Sequence, residues 1–323
     1  MKDSGALMEA AVLHGPGKFV LEQMAIPSIE PDEILVRTKA VGVCTGELDM
    51  WEGKASGLTY PRFIGHEPAG EVVDVGAKVQ GFAPGDHVSV WSEGKSYAEY
   101  FASKADYAMK LRPDTPLDQA LGEPIACSVN GVRKADPQLG DSVCIVGCGF
   151  MGLIMLQVFR ARGVGDIIVV DTRPSMLSLA TELGATHAVN PATTDTAAYV
   201  KDLTGGRGVD IGVEAAGKQE TLDLVSSIVR MEGKLEVFGF HQGPPRSVPW
   251  GFWNWMAFHI VNGHVRSSRI YVEGMRLGLG MLEAGSLNMA RLVTHRFALR
   301  DINHAFEVAC SKQEDFVKAV ITL

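Results

Sequence analysis

Before Glu123 the apolar residues come in short runs broken by glycine and proline: "AAVLHGPGKFVLEQM", "EILVRTKAVGVC", "AGEVVDVG", "GDHVSVW" and "YAEYFAS". Runs of this length and spacing predict short strands in a compact antiparallel or barrel-like domain. After Glu123 the period changes. "DSVCIVG" is strand-like and opens into an apolar helix through Arg162, and "DIIVVD", "GVDIGVEAAG" and "GKLEVFGF" read as further strands. Between them "PSMLSLATEL", "TTDTAAYVKDLTGG" and "KQETLDLVSSIVRMEG" carry helical spacing, and "HVRSS" reads as one more short strand. Strands alternating with helices predict an α/β unit with a parallel sheet wound on both faces. The tail, "YVEGMRLGLGMLEAG" through "DINHAFEVACSK" to "KAVITL", predicts two helices and a terminal strand that suits the first domain. The expected plan is a discontinuous domain, 1–126 completed by 268–323, with a second domain, 127–267, inserted in it.

Composition narrows the class. A chain of 323 residues suits two domains, and 46% hydrophobic with 21% charged residues is a soluble globular balance. A formal charge of −8 argues against nucleic acid or an anionic membrane, either of which needs a basic face. The uncharged stretch 142–159, "SVCIVGCGFMGLIMLQVF", approaches membrane-spanning length. Its early glycines and its change of period make it a buried strand–turn–helix instead. The N-terminal "MKDSGALMEAAVLHGPG" has no apolar signal region, so a cytoplasmic location is expected. Cys44, Cys127, Cys144, Cys148 and Cys310 are scattered without paired spacing, which argues against a disulfide framework.

The glycines of that stretch carry chemistry. "VCIVGCGFMGL" holds Gly147-x-Gly149-x-x-Gly152 between an apolar strand and a helix, and Asp171 ends the next strand. Glycines there let a pyrophosphate reach the helix N-terminus, and the acid accepts ribose hydroxyls. Gly147, Gly149, Phe150, Met151, Gly152 and Asp171 are therefore candidate dinucleotide contacts. Asp171 favours NAD, since a 2′-phosphate meets like charge. Arg173 works against that preference if it pairs with a phosphate; it can also stack on adenine or stand solvated at the surface.

A second set stands in the first domain. Cys44 follows the strand "AVGV", His66 and Glu67 adjoin one another in "FIGHEPAGEVVDVG", and Glu123 opens the helix "GEPIACSVNGV". Thiolate, imidazole and carboxylate are the donors of a catalytic zinc, which keeps one position open for water or substrate.

Taken together, "GVC…LDMW", "GHEPAGEVVDVG", "GDHV", "YAEYF", "EPIACSVNGV", "VGCGFMG", "VDIGVEAAG" and "FGF" resemble the zinc-dependent medium-chain dehydrogenase/reductase family, particularly its polyol and threonine dehydrogenase branches. The resemblance spans nearly the whole chain. It implies a Rossmann doubly wound domain and a GroES-like antiparallel β-barrel catalytic domain. It also implies NAD, one zinc, a small-molecule alcohol or ketone substrate, and a homodimer or homotetramer. By that likeness Cys44 and His66 are zinc ligands, Glu67 is a ligand or an alternate one, and Glu123 fills the remaining position or reaches it through water. Ala215, Gly239 and Phe240 join the cofactor contacts.

Two departures from the pattern stand out. "GDHVSVWSEGKSYAEYF" leaves no room for the four-cysteine lobe that holds a structural zinc in some relatives. Beside Cys44, Gly46 stands where the family has a hydroxyl and Asp49 where it often has histidine; Thr45 is displaced by one position, and Glu47 replaces the usual aspartate. Thr45 or Asp49 is then expected to carry the substrate proton. The pocket is expected between the domains, with Trp51 and Trp91 as walls or as core, and Trp250, Phe252, Trp253 and Trp255 as core or a subunit contact. The expected activity is hydride transfer between NAD and a secondary alcohol of the polyol, sugar or cyclitol kind. The rival readings are a zinc-free NADPH quinone or enal reductase and a nucleotide-binding protein without chemistry.

Overall fold

Alternating apolar residues on either side of Pro16 and Gly17 close a hairpin, with Leu13 opposite Phe19 and both side chains buried. The computed structural model describes residues 5–55, 57–92, 94–313 and 315–323. In chain order the first strands are β1 (Leu7–Gly15), β2 (Lys18–Ala25) and β3 (Glu33–Gly42), followed by helix α1 (Thr45–Trp51). Next come β4 (Pro68–Val75), β5 (His87–Val90), β6 (Tyr100–Lys104), β7 (Ala108–Lys110) and α2 (Gly122–Ala135). The alternating part holds β8 (Val143–Val146), α3 (Phe150–Ala161), β9 (Ile167–Val170), α4 (Pro174–Glu182), β10 (His187–Val189) and α5 (Thr196–Leu203). It continues with β11 (Val209–Glu214), α6 (Gln219–Ile228), β12 (Val229–Val237), α7 (Trp250–Trp255) and β13 (His259–Asn262). The chain ends with α8 (Ser268–Glu283), β14 (Val293–Ala298), α9 (Ile302–Ser311) and β15 (Lys318–Thr322).

Two compact units result. One comprises the described residues up to Ala126 with Ser267–Gly285 and Met289–Leu323; the other comprises Cys127–Arg266 with Ser286–Asn288. In the first unit the β1–β2 hairpin accompanies a seven-stranded sheet ordered β14-β15-β3-β4-β5-β7, with β6 paired to β3. β3 is the organising strand: it pairs antiparallel with β4, β6 and β15. Ile34, Val36, Val72, Val88, Val90 and Phe101 form one core beneath it. Phe306 of α9 packs edge-on against Phe19 and Tyr97 in another.

The second unit holds a six-stranded, wholly parallel sheet ordered β10-β9-β8-β11-β12-β13. β8 and β9 are buried at every position, which is why they read as continuous apolar runs rather than as alternation. Helix α3 is buried from Gly152 to Phe159, which accounts for the uncharged stretch. Among the described residues no helix is long and apolar enough to cross a membrane.

Several expected elements are redrawn. The helix expected through Gly233 stops at Ile228, because Val229 pairs with Val209 and begins β12. "HVRSS" is not a strand; the edge strand is β13, five residues earlier, and Ser268 already opens α8. Strands β10 and β14 and helix α1 were not anticipated. Each is short, and pairing or packing with a distant segment stabilises it more than its own composition does.

Candidate active site

The first site grows from the end of β3. Val43 leaves that strand donating its N–H to Ala319, and Cys44 then caps α1 in an extended conformation, its carbonyl accepting from Glu47 and Leu48. Gly65, His66 and Glu67 stand just ahead of β4, outside its regular alternation, so two neighbouring side chains are free to turn the same way. Ligand atoms of Cys44, His66 and Glu67 all lie within 4.8 Å of one another, with Cys44 and His66 half-buried and Glu67 buried.

A buried carboxylate orients the histidine. Glu47 Oε1 accepts from Gly65 N at 2.8 Å and pairs with His66 Nδ1 at 2.6 Å. Tyr97 donates its hydroxyl to Glu47 Oε2 at 2.7 Å. Burial opposes charge on Glu47, but His66, then Tyr97 and the Gly65 amide, hold it below the usual carboxylate range. Burial likewise opposes the imidazolium of His66, yet Glu47 first and Cys44 next raise its pKa well above the ordinary value. With Nδ1 engaged, Nε2 is the nitrogen left for a metal, the usual arrangement of a ligating histidine.

Glu67 has its own partner. Lys318 Nζ donates to Oε1 at 2.9 Å and lies 2.6 Å from Oε2, and both side chains are buried. Oε2 nevertheless makes no hydrogen bond, so one buried acceptor faces the cluster unused. Gly42 makes room for the pair, because a Cβ there would collide with the Glu67 carboxylate. Sulfur, nitrogen and an under-used oxygen in a negative setting fit zinc.

The other expected residues are placed as follows. Glu123 is half-buried in the first turn of α2, where Gly122 N donates to Ser89 Oγ at 2.9 Å, and it stands outside the three-residue cluster. Its charge reaches Lys318, whose pKa is raised by Glu67, Cys44 and Glu123 against the opposing effect of burial. Thr45 is exposed at the start of α1. Asp49 lies half-buried within α1, not in a turn after a strand, and its carbonyl accepts from Lys54 and Ala55. A Cβ at Gly46 would stand 4.0 Å from Cys44 Sγ, so this position adjoins the thiol but offers it no side chain. Trp51 packs on Phe306 in the core, whereas half-buried Trp91 stacks on Tyr271 with centroids 5.5 Å apart. Trp253 is buried, while Trp250 and Trp255 are exposed.

The second site lies at the carboxyl ends of β8, β9, β11 and β12. Gly147 leaves β8 at φ 103°, and a Cβ there would press on Ala216 at 2.9 Å. Gly149 caps α3, and Phe150, Met151 and Gly152 form its first turn. Ala215 N donates to Val146 O and Gly239 N to Glu214 O, which fixes both loops to the sheet; Phe240 is 59% exposed. Asp171 accepts from Cys148 N at 3.0 Å and pairs with Arg173, so Arg173 is not a solvated surface arginine.

Sequence reading missed the network beside these loops: buried Glu214 pairs with His241, and Arg246 donates to the other ring nitrogen. It also missed Lys318 and Tyr97. A lysine heading the apolar run "KAVITL" is the signal that could have found the first, since a buried ammonium needs a carboxylate.

A parallel sheet with a glycine loop, and a second unit that gathers thiol, imidazole and carboxylate, define a dehydrogenase of the alcohol dehydrogenase class. The chain belongs to the zinc-type medium-chain dehydrogenase family: it matches the zinc-binding dehydrogenase model over residues 151–284 and the alcohol dehydrogenase GroES-like domain over residues 30–114. Sorbitol dehydrogenase of Bacillus subtilis (strain 168) is 28% identical over 97% of this chain and 97% of its own. L-threonine 3-dehydrogenase of Pyrococcus abyssi (strain GE5 / Orsay) is 30% identical over 89% and 91%. The crystal structure of 2R,3R-butanediol dehydrogenase from Bacillus subtilis is similar with a TM-score of 0.87 at 25% identity, covering 98% of this chain and 99% of that one. The units are thus GroES-like and Rossmann-type.

Proposed function

We propose that this oxidoreductase interconverts a secondary alcohol and its ketone, with one zinc held by Cys44, His66 and Glu67 and NAD as hydride partner. The observation that carries the reading is the gathering of those three donors within 4.8 Å around a histidine whose Nδ1 is locked to a buried carboxylate. Zinc bound there supplies Lewis-acid polarisation of a substrate oxygen, and NAD supplies the hydride acceptor. The chain does the rest. Glu47 fixes the tautomer and orientation of His66, and Lys318 balances the charge of Glu67 so that the carboxylate stays ionised in a buried place. Glu123 takes the remaining position directly or through water. Asp49, with Thr45 as the alternative, moves the substrate proton toward solvent. Gly147, Gly149, Phe150, Met151 and Gly152 receive the pyrophosphate at the N-terminus of α3, Asp171 receives the ribose, and Ala215, Gly239 and Phe240 line the rest of the dinucleotide.

A polyol, sugar or cyclitol is the substrate class this reading favours. Similar curated proteins are named for sorbitol and for erythritol and L-threitol, and half-buried Trp91 and Tyr271 offer an aromatic wall. The edge strand β13, with Ile260, Phe252, Trp250 and Trp255 exposed, suits a homodimer or a homotetramer built from it. The five free cysteines suit a reducing cytoplasm. The gathered ligand set speaks against the zinc-free reductase reading.

The test combines metal analysis with NADH absorbance across polyols, sugars, aminocyclitols and simple secondary alcohols. About one zinc per chain is expected, lost in Cys44→Ser and His66→Ala with the fold intact. Two zinc ions per chain, or full activity without metal, would overturn the metal assignment. No hydride transfer with any alcohol would leave a nucleotide-binding protein.

A further inference from the structure

Asp171 has no free acceptor. Its Oδ1 takes the backbone N–H of Arg173 at 3.0 Å and Arg173 Nε at 3.2 Å; its Oδ2 takes Cys148 N at 3.0 Å and Arg173 Nη2 at 3.3 Å. An ionised carboxylate offers about four lone-pair sites, and these four donors use them all. The pair is largely enclosed, with side-chain exposures of 29% for Arg173 and 9% for Asp171. The guanidinium also reaches the glycine loop: Nη2 lies 4.0 Å from where a Cβ of Gly149 would stand. Arg173 therefore sits between the acid that would read the ribose and the loop that would receive the phosphates.

We propose that Arg173 is the specificity-determining residue of the adenosine site, acting as a movable counter-charge that lets one pocket accept either a free or a phosphorylated ribose 2′ position. The proposal rests on the dinucleotide reading of the glycine loop and refines its preference for NAD. With a free ribose diol, the fork leaves Asp171, whose oxygens then accept the hydroxyls while the Cys148 and Arg173 amides keep the carboxylate in place. With a 2′-phosphate, of charge about −1.5 to −2, the fork turns to the phosphate in bidentate fashion. Asp171 alone would repel that phosphate; the neutral pair does not. Release of Asp171 weakens binding of the free diol, and the added ion pair strengthens binding of the phosphate, so the two affinities draw together.

The test measures binding of adenosine 5′-monophosphate and adenosine 2′,5′-bisphosphate by titration calorimetry to the intact protein and to two variants. The intact protein should bind both with Kd values within about tenfold. Arg173→Ala should weaken the bisphosphate by about 10- to 100-fold while leaving the monophosphate equal or tighter. Arg173→Lys, which keeps charge without the fork, should fall between. If the monophosphate binds and Arg173→Ala leaves the ratio unchanged, the dinucleotide reading stands and the role of Arg173 is overturned. If neither nucleotide binds the intact protein, the reading of the glycine loop falls and this proposal with it.

Discussion

Lys318 and Glu67, 251 positions apart, form a buried ion pair at the edge of the metal-ligand cluster, with Nζ 2.6 Å from Oε2. β15 brings the lysine beside β3 in the same sheet, and Gly42 opposite Val320 leaves the space in which the two side chains meet. Breaking a buried pair from one side leaves an uncompensated charge, which costs about 3–5 kcal/mol. Lys318→Met should therefore destabilise the zinc-free protein by about that amount in urea unfolding. Adding Glu67→Gln should recover much of it, and simple additivity of the two variants would show that the pair carries no coupling.

Glu47→Gln removes the charge that holds His66 and gives the amide no second way to satisfy Gly65 N, His66 Nδ1 and Tyr97 OH at once. Loss of such an outer partner typically weakens metal affinity by about 10- to 100-fold. Competition with a chelator should show that loss, with circular dichroism unchanged. Tyr97→Phe, which removes one neutral donor, should be milder.

Asp49→Asn should lower kcat by about 100- to 10,000-fold at neutral pH and remove the acid limb of its pH profile, with zinc retained. Exposed Thr45 should tolerate Thr45→Val with little change. An unchanged pH profile in both variants would exclude both from the proton path.

Glu236 of β12 is buried with neither oxygen hydrogen-bonded. Burial pushes its pKa well above the usual carboxylate value, and Lys134 offsets this only in part. The folded state thus holds a proton that the unfolded chain has lost. The stability from this group is complete below the unfolded pKa and disappears as pH rises toward the folded one. Glu236→Gln keeps the shape without the titration. Its Tm should exceed that of the parent protein by more at about pH 8 than at about pH 5. An equal offset at both values would mean that the carboxyl is not held protonated.

The sequence by itself determined the kinds of unit and most donors of the site. Period two before Glu123 and strand–helix alternation after it predict a β unit and a parallel α/β unit, because those periods follow from which faces are buried. Gly147-x-Gly149-x-x-Gly152 with Asp171, and Cys44, His66 and Glu67, stand out because few other jobs need those residues in those places. Tertiary structure decided what depends on distant partners. Val229 is a strand residue because Val209 lies beside it, although its own surroundings continue a helical pattern. Glu47 serves His66, Lys318 meets Glu67, and Arg173 closes on Asp171 instead of facing solvent. Of the four expected ligands it gathers three and leaves Glu123 outside them. A charged side chain declares its type in the sequence, but its partner is whichever opposite charge folding buries next to it, and that choice is made by strand pairing across hundreds of positions.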